Sequence, residues 1–66
     1  MKGTCVYLLR SLNEPSHHYI GRTEDLKRRL AEHNRGAVGH TRKYRPWKVV
    51  VAVYFEDPRK AAAFER

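Results

Sequence analysis

The chain has 66 residues, of which 14 are Lys or Arg and 7 are Asp or Glu, giving a formal net charge of +7. A chain of this length forms one domain with a small core and leaves no room for a second activity. The charge favours a polyanionic partner; nucleic acid and an acidic membrane surface would both satisfy it. The chain start lacks an apolar signal segment, and the longest apolar run, residues 49–55, is too short to cross a bilayer. We therefore expect a cytoplasmic protein with no membrane partner.

The single cysteine, Cys5, excludes an internal disulfide and a Cys-x-x-Cys metal site. It alternates with Tyr7 and Leu9 in an apolar segment, which predicts a small buried side chain rather than a nucleophile. His17 and His18 are adjacent instead of lying at helical ligand spacing, so no zinc site is predicted.

The first elements predicted in chain order are two strands of a β-hairpin. Residues 4–10 are rich in strand formers, residues 12–16 contain Asn and Pro, and residues 17–21 resume the extended pattern. A turn in the middle of this loop makes Tyr7 and Tyr19 neighbours. They share one face of the sheet only if Tyr7 pairs with an odd-numbered residue, because a shift of one residue reverses every side chain.

A helix follows. Thr23 is its predicted N-cap, with two acidic residues in the first turn, and Gly36 is its predicted stop. One helical face carries the residues at i, i+3, i+4 and i+7, namely Leu26, Arg29, Leu30 and His33. Arg29 and His33 are therefore predicted to point toward the sheet, whereas the other charged residues of the helix, Glu32 among them, are predicted to be solvated.

The connection after this helix, residues 35–48, concentrates basic side chains around two aromatic residues. Together with the residue after the second strand motif, it supplies the predicted contacts to a nucleic-acid backbone, which are Arg22, Arg42, Lys43 and Arg45. Tyr44 is a candidate for stacking on unpaired bases, whereas Trp47 is predicted to pack in the core.

The third strand is predicted over residues 49–55, which are apolar on both faces as in a central or well-covered strand. Asp57 is then the predicted cap of a second helix that begins at Pro58. Glu65 shares a face with apolar residues of this helix. Because no capping signal precedes Arg66 and a carboxylate near a helix C-terminus is unfavourable, we expect the final helix to continue beyond Arg66.

The order and spacing of these residues resemble the GIY-YIG nuclease superfamily over nearly the whole chain. Cys5-Val6-Tyr7 stands where the first motif would lie, and Tyr19-Ile20-Gly21 matches the second. In size the chain is similar to small stand-alone bacterial members. The resemblance implies an α/β (α+β) fold within a single domain, residues 1–66, with a three-stranded, mainly antiparallel sheet and the order β-β-α-β-α. The catalytic residues that it implies are Tyr7, Tyr19, Arg29, His33 and Glu65.

The resemblance also implies a role for each of these residues. Tyr7 would act as, or assist, the general base for the attacking water, and Tyr19 would orient the scissile phosphate. Arg29 would stabilise charge on the phosphate oxygens, while His33 would shuttle a proton or bind a phosphate oxygen. Glu65 would hold Mg²⁺ or Mn²⁺ on the substrate phosphate. The predicted function is metal-dependent hydrolysis of DNA phosphodiesters by an endonuclease that prefers a DNA structure over a sequence.

The five implied catalytic residues are expected to converge on one shallow cleft, but two other interpretations stay open. The chain could instead be a non-catalytic nucleic-acid-binding module that retains this cleft as a phosphate grip, or an interaction domain whose basic surface meets an acidic protein. No element resembles a major-groove recognition helix, so sequence-specific binding is not predicted. Because so small a domain offers little surface for a long target, we expect a homodimer or a partner protein to contribute to specificity.

Overall fold

A computed structural model of the chain describes residues 3–65. In chain order its elements are strand β1 (Thr4–Ser11), strand β2 (His18–Thr23), helix α1 (Leu26–Arg35), a 3-10 turn (Arg42–Tyr44), strand β3 (Trp47–Phe55) and helix α2 (Pro58–Glu65). The strands form one antiparallel sheet in the spatial order β2-β1-β3. The predicted α+β architecture is therefore confirmed. The predicted continuation of α2 past Arg66 lies outside the described residues, and none of the helices within residues 3–65 is long and apolar enough to span a membrane.

The pairing of β1 with β2 decides which side chains share a face of the sheet. Tyr7 pairs with Gly21, and Leu9 pairs with Tyr19. Both pairs join odd-numbered residues, so the two tyrosines lie on the same face. The face that they share is the one against which the leucines of α1 pack.

The position of β3 differs from the prediction. β1 is the central strand, and β3 lies at an edge, where Val50 and Val51 are 46% and 48% exposed. The register with β1 also shifts between Leu8 and Leu9, as at a β-bulge. The prediction of a central or well-covered β3 was wrong. An unbroken apolar run in the sequence does not reveal whether a helix fully covers the second face of the strand.

Helix α2 covers only part of that second face. It begins as predicted, with the Asp57 carboxylate accepting a hydrogen bond from the backbone N–H of Arg59 at 2.9 Å. Phe64 packs against Phe55, with 5.3 Å between ring centroids, but remains 56% exposed. An open apolar groove remains between the helix and the sheet, and it is lined by Val6, Tyr7, Leu8, Ile20, Val51 and Phe64.

The core lies on the tyrosine face. Its buried cluster consists of Cys5, Tyr7, Leu9 and Trp47, with Leu26 and Leu30 of α1 packed against it. The predictions of a buried Cys5 and a buried Trp47 are confirmed, and burial raises the pKa of the Cys5 thiol. The core therefore fixes the central strand against the helix that carries Arg29 and His33.

The ends of α1 show one correction and one agreement. The N-cap is Asp25, whose carboxylate accepts from the backbone N–H of Arg28 at 3.1 Å. Thr23 instead accepts from the backbone N–H of Asp25 at 3.1 Å, so its hydroxyl stabilises the turn before the helix. The prediction of Thr23 as cap was wrong because both residue types form such local bonds. Gly36 ends the helix as predicted, in a left-handed conformation with φ 85°.

Candidate active site

The second motif's glycine, Gly21, makes room for the two tyrosine rings. A Cβ atom at this position would lie 2.6 Å from the hydroxyl oxygen of Tyr7 and 2.9 Å from the Tyr19 ring. Both distances are shorter than van der Waals contact, so any side chain at position 21 would displace the rings. The lack of a side chain allows the Tyr7 ring to cross over β2.

Tyr7, Tyr19 and His33 come together as predicted. The Tyr7 hydroxyl forms a hydrogen bond with Nε2 of His33 at 2.9 Å. The Tyr19 ring lies 4.9 Å from the His33 ring and 6.3 Å from the Tyr7 ring, measured between centroids. Tyr7 is 1% exposed and His33 is fully buried, whereas Tyr19 is half-buried. Tyr19 therefore forms the outer wall of the cluster.

The surroundings of Tyr7 and His33 shift their pKa values in opposite directions. Burial raises the pKa of Tyr7, and the contact with Arg29 opposes this shift without reversing it. Burial lowers the pKa of His33, and the positive charge of Arg29 adds to that effect. At neutral pH the phenol is therefore protonated and the imidazole is neutral, and the two groups share one hydrogen bond.

Arg29 is held beside this pair by a carboxylate. Its guanidinium donates from Nη1 to Oε1 of Glu32 at 2.9 Å, and its side chain is 36% exposed. The hydrogen bond from Arg29 lowers the pKa of Glu32, while the contacts with Glu32 and then Tyr7 raise the pKa of Arg29. Glu32 lies at the surface as predicted, and in addition it is one turn from Arg29 and pairs with it. The Arg29 fork keeps donors free for a phosphate.

Among the described residues, Glu65 has no hydrogen bond or ion pair with the other four predicted catalytic residues. Its carboxylate forms an ion pair with Nε of Arg22 at 2.9 Å. Arg22 pairs with Val6 in the sheet, so its side chain leaves the face opposite to Tyr7. Glu65 is nevertheless near enough for its charge to contribute to the raised pKa of Tyr7, after the effects of burial and of the neighbouring tyrosine.

The donor set at Glu65 limits the kind of metal ion that it fits. Within residues 3–65 no group of three His, Cys, Asp or Glu side chains is placed to hold an ion. A single carboxylate is what Mg²⁺ commonly takes from a protein when substrate phosphate and water supply the remaining ligands. Glu65 thus fits a hard divalent cation that binds together with the substrate.

Arg42, Lys43 and Arg45 form a basic surface on the connection after α1, whereas the fourth predicted charged contact, Arg22, lies on the sheet face opposite to Tyr7. Arg42, Lys43 and Arg45 are exposed, and Arg22 is also exposed despite its ion pair. Tyr44 is half-buried: its ring stacks on His17 at 3.9 Å between centroids, and the Lys43 ammonium lies 5.6 Å from the ring centroid. A base that stacks on Tyr44 would therefore have to displace one of these contacts.

Hydrogen bonds join the basic connection after α1 to the loop between β1 and β2. The buried Ser11 hydroxyl donates to the carbonyl of Tyr44 at 2.6 Å and accepts from the backbone N–H of Glu14 at 3.0 Å. The Asn13 side chain donates to the carbonyl of Arg45 at 2.8 Å. These bonds fix the direction in which the basic side chains leave the domain.

Sequence reasoning missed two residues of the site. Thr41 is buried, and its hydroxyl oxygen lies 2.7 Å from Nδ1 of His33. His40 lies against Tyr19, with 5.4 Å between ring centroids. Neither residue could be identified as part of the site from the sequence. Both belong to a basic loop that folds back over α1, and sequence periodicity does not predict the course of such a loop.

Comparison with known proteins identifies the family of this chain. Residues 3–66 match the family of the GIY-YIG catalytic domain. This chain belongs to that family. It is 43% identical to the structure-specific endonuclease subunit SLX1 of Kluyveromyces lactis over 92% of this chain and 24% of that protein. The protein of the same name from Debaryomyces hansenii is 42% identical over 91% of this chain and 19% of its own length. That from Malassezia globosa is 48% identical over 89% and 14%, respectively.

The match covers only part of each relative. The chain spans about a quarter or less of the length of the proteins that it matches. All three are fungal, so they do not support the expected likeness to small stand-alone bacterial members.

Proposed function

We propose that this chain is a metal-dependent endonuclease domain that hydrolyses DNA phosphodiesters and selects a DNA structure rather than a sequence. The observation that carries the proposal is the buried hydrogen bond between the Tyr7 hydroxyl and His33, with the Arg29 guanidinium beside it. A phosphate grip alone would need the guanidinium but not a proton donor and acceptor aligned next to it. Membership of the GIY-YIG family supports the same conclusion.

In this proposal a proton moves from the attacking water to His33 through Tyr7. The phenol stays protonated at neutral pH because burial raises its pKa, so it cannot wait as a phenolate. As the Tyr7 oxygen takes a proton from water, the Tyr7 proton passes to Nε2 of His33, which is neutral. The oxygen of the water then bonds to phosphorus, and the bond to the leaving oxygen breaks.

Arg29 and Tyr19 act on the phosphate in this proposal. Arg29 stabilises the charge that gathers on the phosphate oxygens, because its planar fork keeps free donors while Glu32 fixes its direction. Tyr19 orients the phosphate from the outer wall of the cluster. Since Tyr7 is 1% exposed, Tyr19 or Arg29 must shift when the substrate binds, so that water reaches the Tyr7 hydroxyl.

Glu65 is the residue that would hold the divalent cation, Mg²⁺ or Mn²⁺. When bound, such an ion polarises the phosphate and stabilises the leaving oxygen. To bind it, the Glu65 carboxylate must exchange its ion pair with Arg22, and both side chains are partly exposed. Arg22 is then free to contact a backbone phosphate.

The basic surface and the relatives' names support the substrate class. Arg42, Lys43 and Arg45 offer charge but no element that enters a groove, which favours binding through the backbone. The fungal relatives are named structure-specific endonuclease subunits. The word subunit supports a contribution of a partner protein to specificity, the expectation drawn above from the small size of the domain.

The experiment is a cleavage assay on labelled single-stranded, duplex, flap and branched DNAs with Mg²⁺ or Mn²⁺. Wild type should cut at least one branched or flap substrate, and both Arg29→Ala and Glu65→Ala should abolish cleavage while binding is largely retained. The matched controls are Arg35→Ala on the same helix and Glu24→Ala, both at exposed positions, which should cleave like wild type. Binding without cleavage across the whole panel would favour the non-catalytic module instead.

A further inference from the structure

The hydrogen bond between Tyr7 and His33 continues inward through a third side chain. Nδ1 of His33 lies 2.7 Å from the Thr41 hydroxyl oxygen, and that hydroxyl donates to the carbonyl of Val38 at 3.3 Å. Tyr7, His33 and Thr41 are each at most 1% exposed. Water therefore does not compete for these bonds. Each polar atom in this series of hydrogen bonds has only protein groups as hydrogen-bond partners.

The direction of these bonds follows from the groups at the two ends. A carbonyl can only accept, so when the Thr41 proton points to Val38 the Thr41 oxygen accepts from Nδ1 of His33. At the other end, Arg29 lies beside Tyr7 and can only donate, which favours an arrangement in which the Tyr7 proton points to His33. These two arrangements correspond to the same imidazole tautomer, with the proton on Nδ1 and the lone pair on Nε2.

The charges that face His33 keep it in a neutral form. Arg29 and His40 both oppose a second proton on the ring, and burial opposes it more strongly. Glu32 acts in the other direction but has the smallest effect and is bound to Arg29. A neutral imidazole has two tautomers, so some contact must select between them.

We infer that Thr41 is the positioning residue that holds His33 in the tautomer able to accept the proton of Tyr7. The inference rests on the proposed function for its catalytic consequence, but the tautomer itself is a property of the free protein. Without the Thr41 oxygen, the Nδ1 proton would have no acceptor in a buried site, and the alternative tautomer would turn Nε2 into a donor. Nε2 would then face the Tyr7 oxygen with a proton and could not receive another.

The first measurement is the tautomer of His33 in the free wild-type chain, read from the ¹⁵N shifts and ¹H–¹⁵N couplings of its imidazole. The signals are assigned by their loss in His33→Gln. We expect the Nδ1–H form in wild type. An Nε2–H form would overturn the inference whether or not the chain cuts DNA.

The second measurement compares Thr41→Val, which keeps the shape and removes the hydroxyl, with Thr41→Ser, which keeps the hydroxyl. In Thr41→Val the His33 signals should shift toward the Nε2–H form, and kcat should fall about 10- to 100-fold with little change in KM, as when a group that orients a histidine is removed. Thr41→Ser should restore both properties. A folded Thr41→Val, judged by its backbone amide spectrum, that retains the wild-type tautomer would overturn the inference.

These readouts separate the inference from the proposed function. If no variant and no wild-type sample cleaves any DNA, the proposed function fails, and the imidazole spectra still decide the role of Thr41. If wild type cleaves and Thr41→Val cleaves equally fast, the inference fails and the proposed function stands.

Discussion

Arg22 and Glu65 form an ion pair in which Nε and Oε1 are 2.9 Å apart, at the end of α2 and on the sheet face opposite to Tyr7. Their side chains are 46% and 27% exposed, and ion pairs of this kind contribute about 0–1 kcal/mol. The guanidinium occupies an oxygen that the proposed divalent cation would use. The pair is thus weak enough for a metal ion and a phosphate to replace it together.

Removing Arg22 should therefore strengthen metal binding in the absence of DNA. In Arg22→Gln we expect the affinity for Mn²⁺ to rise about two- to fivefold, the factor that corresponds to an ion pair worth up to about 1 kcal/mol. The affinity is measured by the loss of the free Mn²⁺ signal in electron paramagnetic resonance. Arg59→Gln is the matched control, since Arg59 pairs with Asp57 on the surface, and it should bind like wild type. Weaker Mn²⁺ binding in Arg22→Gln would contradict the competition.

The close approach of Tyr7 to Gly21 makes a second prediction. In Gly21→Ala the new Cβ would lie 2.6 Å from the Tyr7 oxygen, so the ring must move away from its place above β2. We expect a loss of about 1–3 kcal/mol in the free energy of unfolding, as for overpacking in a core, and a tenfold or greater loss of cleavage. Urea denaturation and the cleavage assay measure the two effects.

Gly39 provides the control for this substitution. A Cβ there meets no atom within 4 Å, so Gly39→Ala should leave both stability and cleavage near wild type. Equal behaviour of the two alanine variants would show that Gly21 does not set the position of Tyr7.

Local patterns predicted most of the fold. The alternation in β1 and β2, the leucine stripe of α1 and the Asp57-Pro58 start of α2 all depend on interactions between residues near in sequence, and the structure has each of them. The spatial order of the strands was harder to predict from such local patterns. Residues 49–55 are apolar on both faces, but covering the second face of β3 depends on where α2 packs, which periodicity does not contain.

The residues of the site also fall into two groups, those that local sequence patterns predicted and those that they did not. Tyr7, Tyr19 and His33 meet because the hairpin register and the helical stripe are both local properties. Thr41 reaches His33 only because the connection after Gly36 folds back along α1. A buried threonine in a basic loop has no distinguishing spacing, so this contact required the tertiary structure.

The basic surface predicts a graded dependence of DNA binding on salt. Arg42, Lys43 and Arg45 are exposed and follow one another along the chain with Tyr44 between them. If each neutralises a phosphate, replacing one by Ala should reduce the slope of log K against log salt by about 0.7–0.9. Binding is measured by fluorescence anisotropy with a flap DNA at several salt concentrations. Arg59→Ala, on α2, should keep the wild-type slope, and an unchanged slope in the three loop variants would place the DNA elsewhere.

The buried hydrogen bonds of Ser11 predict how firmly this surface is held. Ser11→Ala removes the donor to the Tyr44 carbonyl and the acceptor for the Glu14 N–H, in a residue that is fully buried. We expect the free energy of unfolding to fall by about 1–3 kcal/mol, because at least one polar group loses its partner away from water. Chemical denaturation measures the loss. Ser16→Ala, in the same loop but exposed, should change stability by less than about 0.5 kcal/mol.

The lowered pKa of His33 predicts how stability depends on pH. Burial and Arg29 hold the pKa of the folded state below the ordinary value of 6.5, so just below that pH the unfolded chain binds a proton that the folded chain does not. The free energy of unfolding should therefore be nearly constant between about pH 7 and 8 and fall as the pH decreases through 6.5. The lowered pKa values of Glu32 and Asp57 act only below their ordinary values of 4.5 and 3.8. Between about pH 7 and 5.5 the predicted decrease therefore comes from His33.

Urea denaturation at several pH values between 8 and 5 tests this dependence. His33→Gln should lower stability at every pH, since it breaks the bonds to Tyr7 and Thr41, but it should flatten the decrease below pH 6.5. His18→Gln, at an exposed position, should retain the wild-type slope. A decrease of the same steepness in His33→Gln would mean that another group binds the proton on unfolding, and that the buried imidazole is not held neutral by its surroundings.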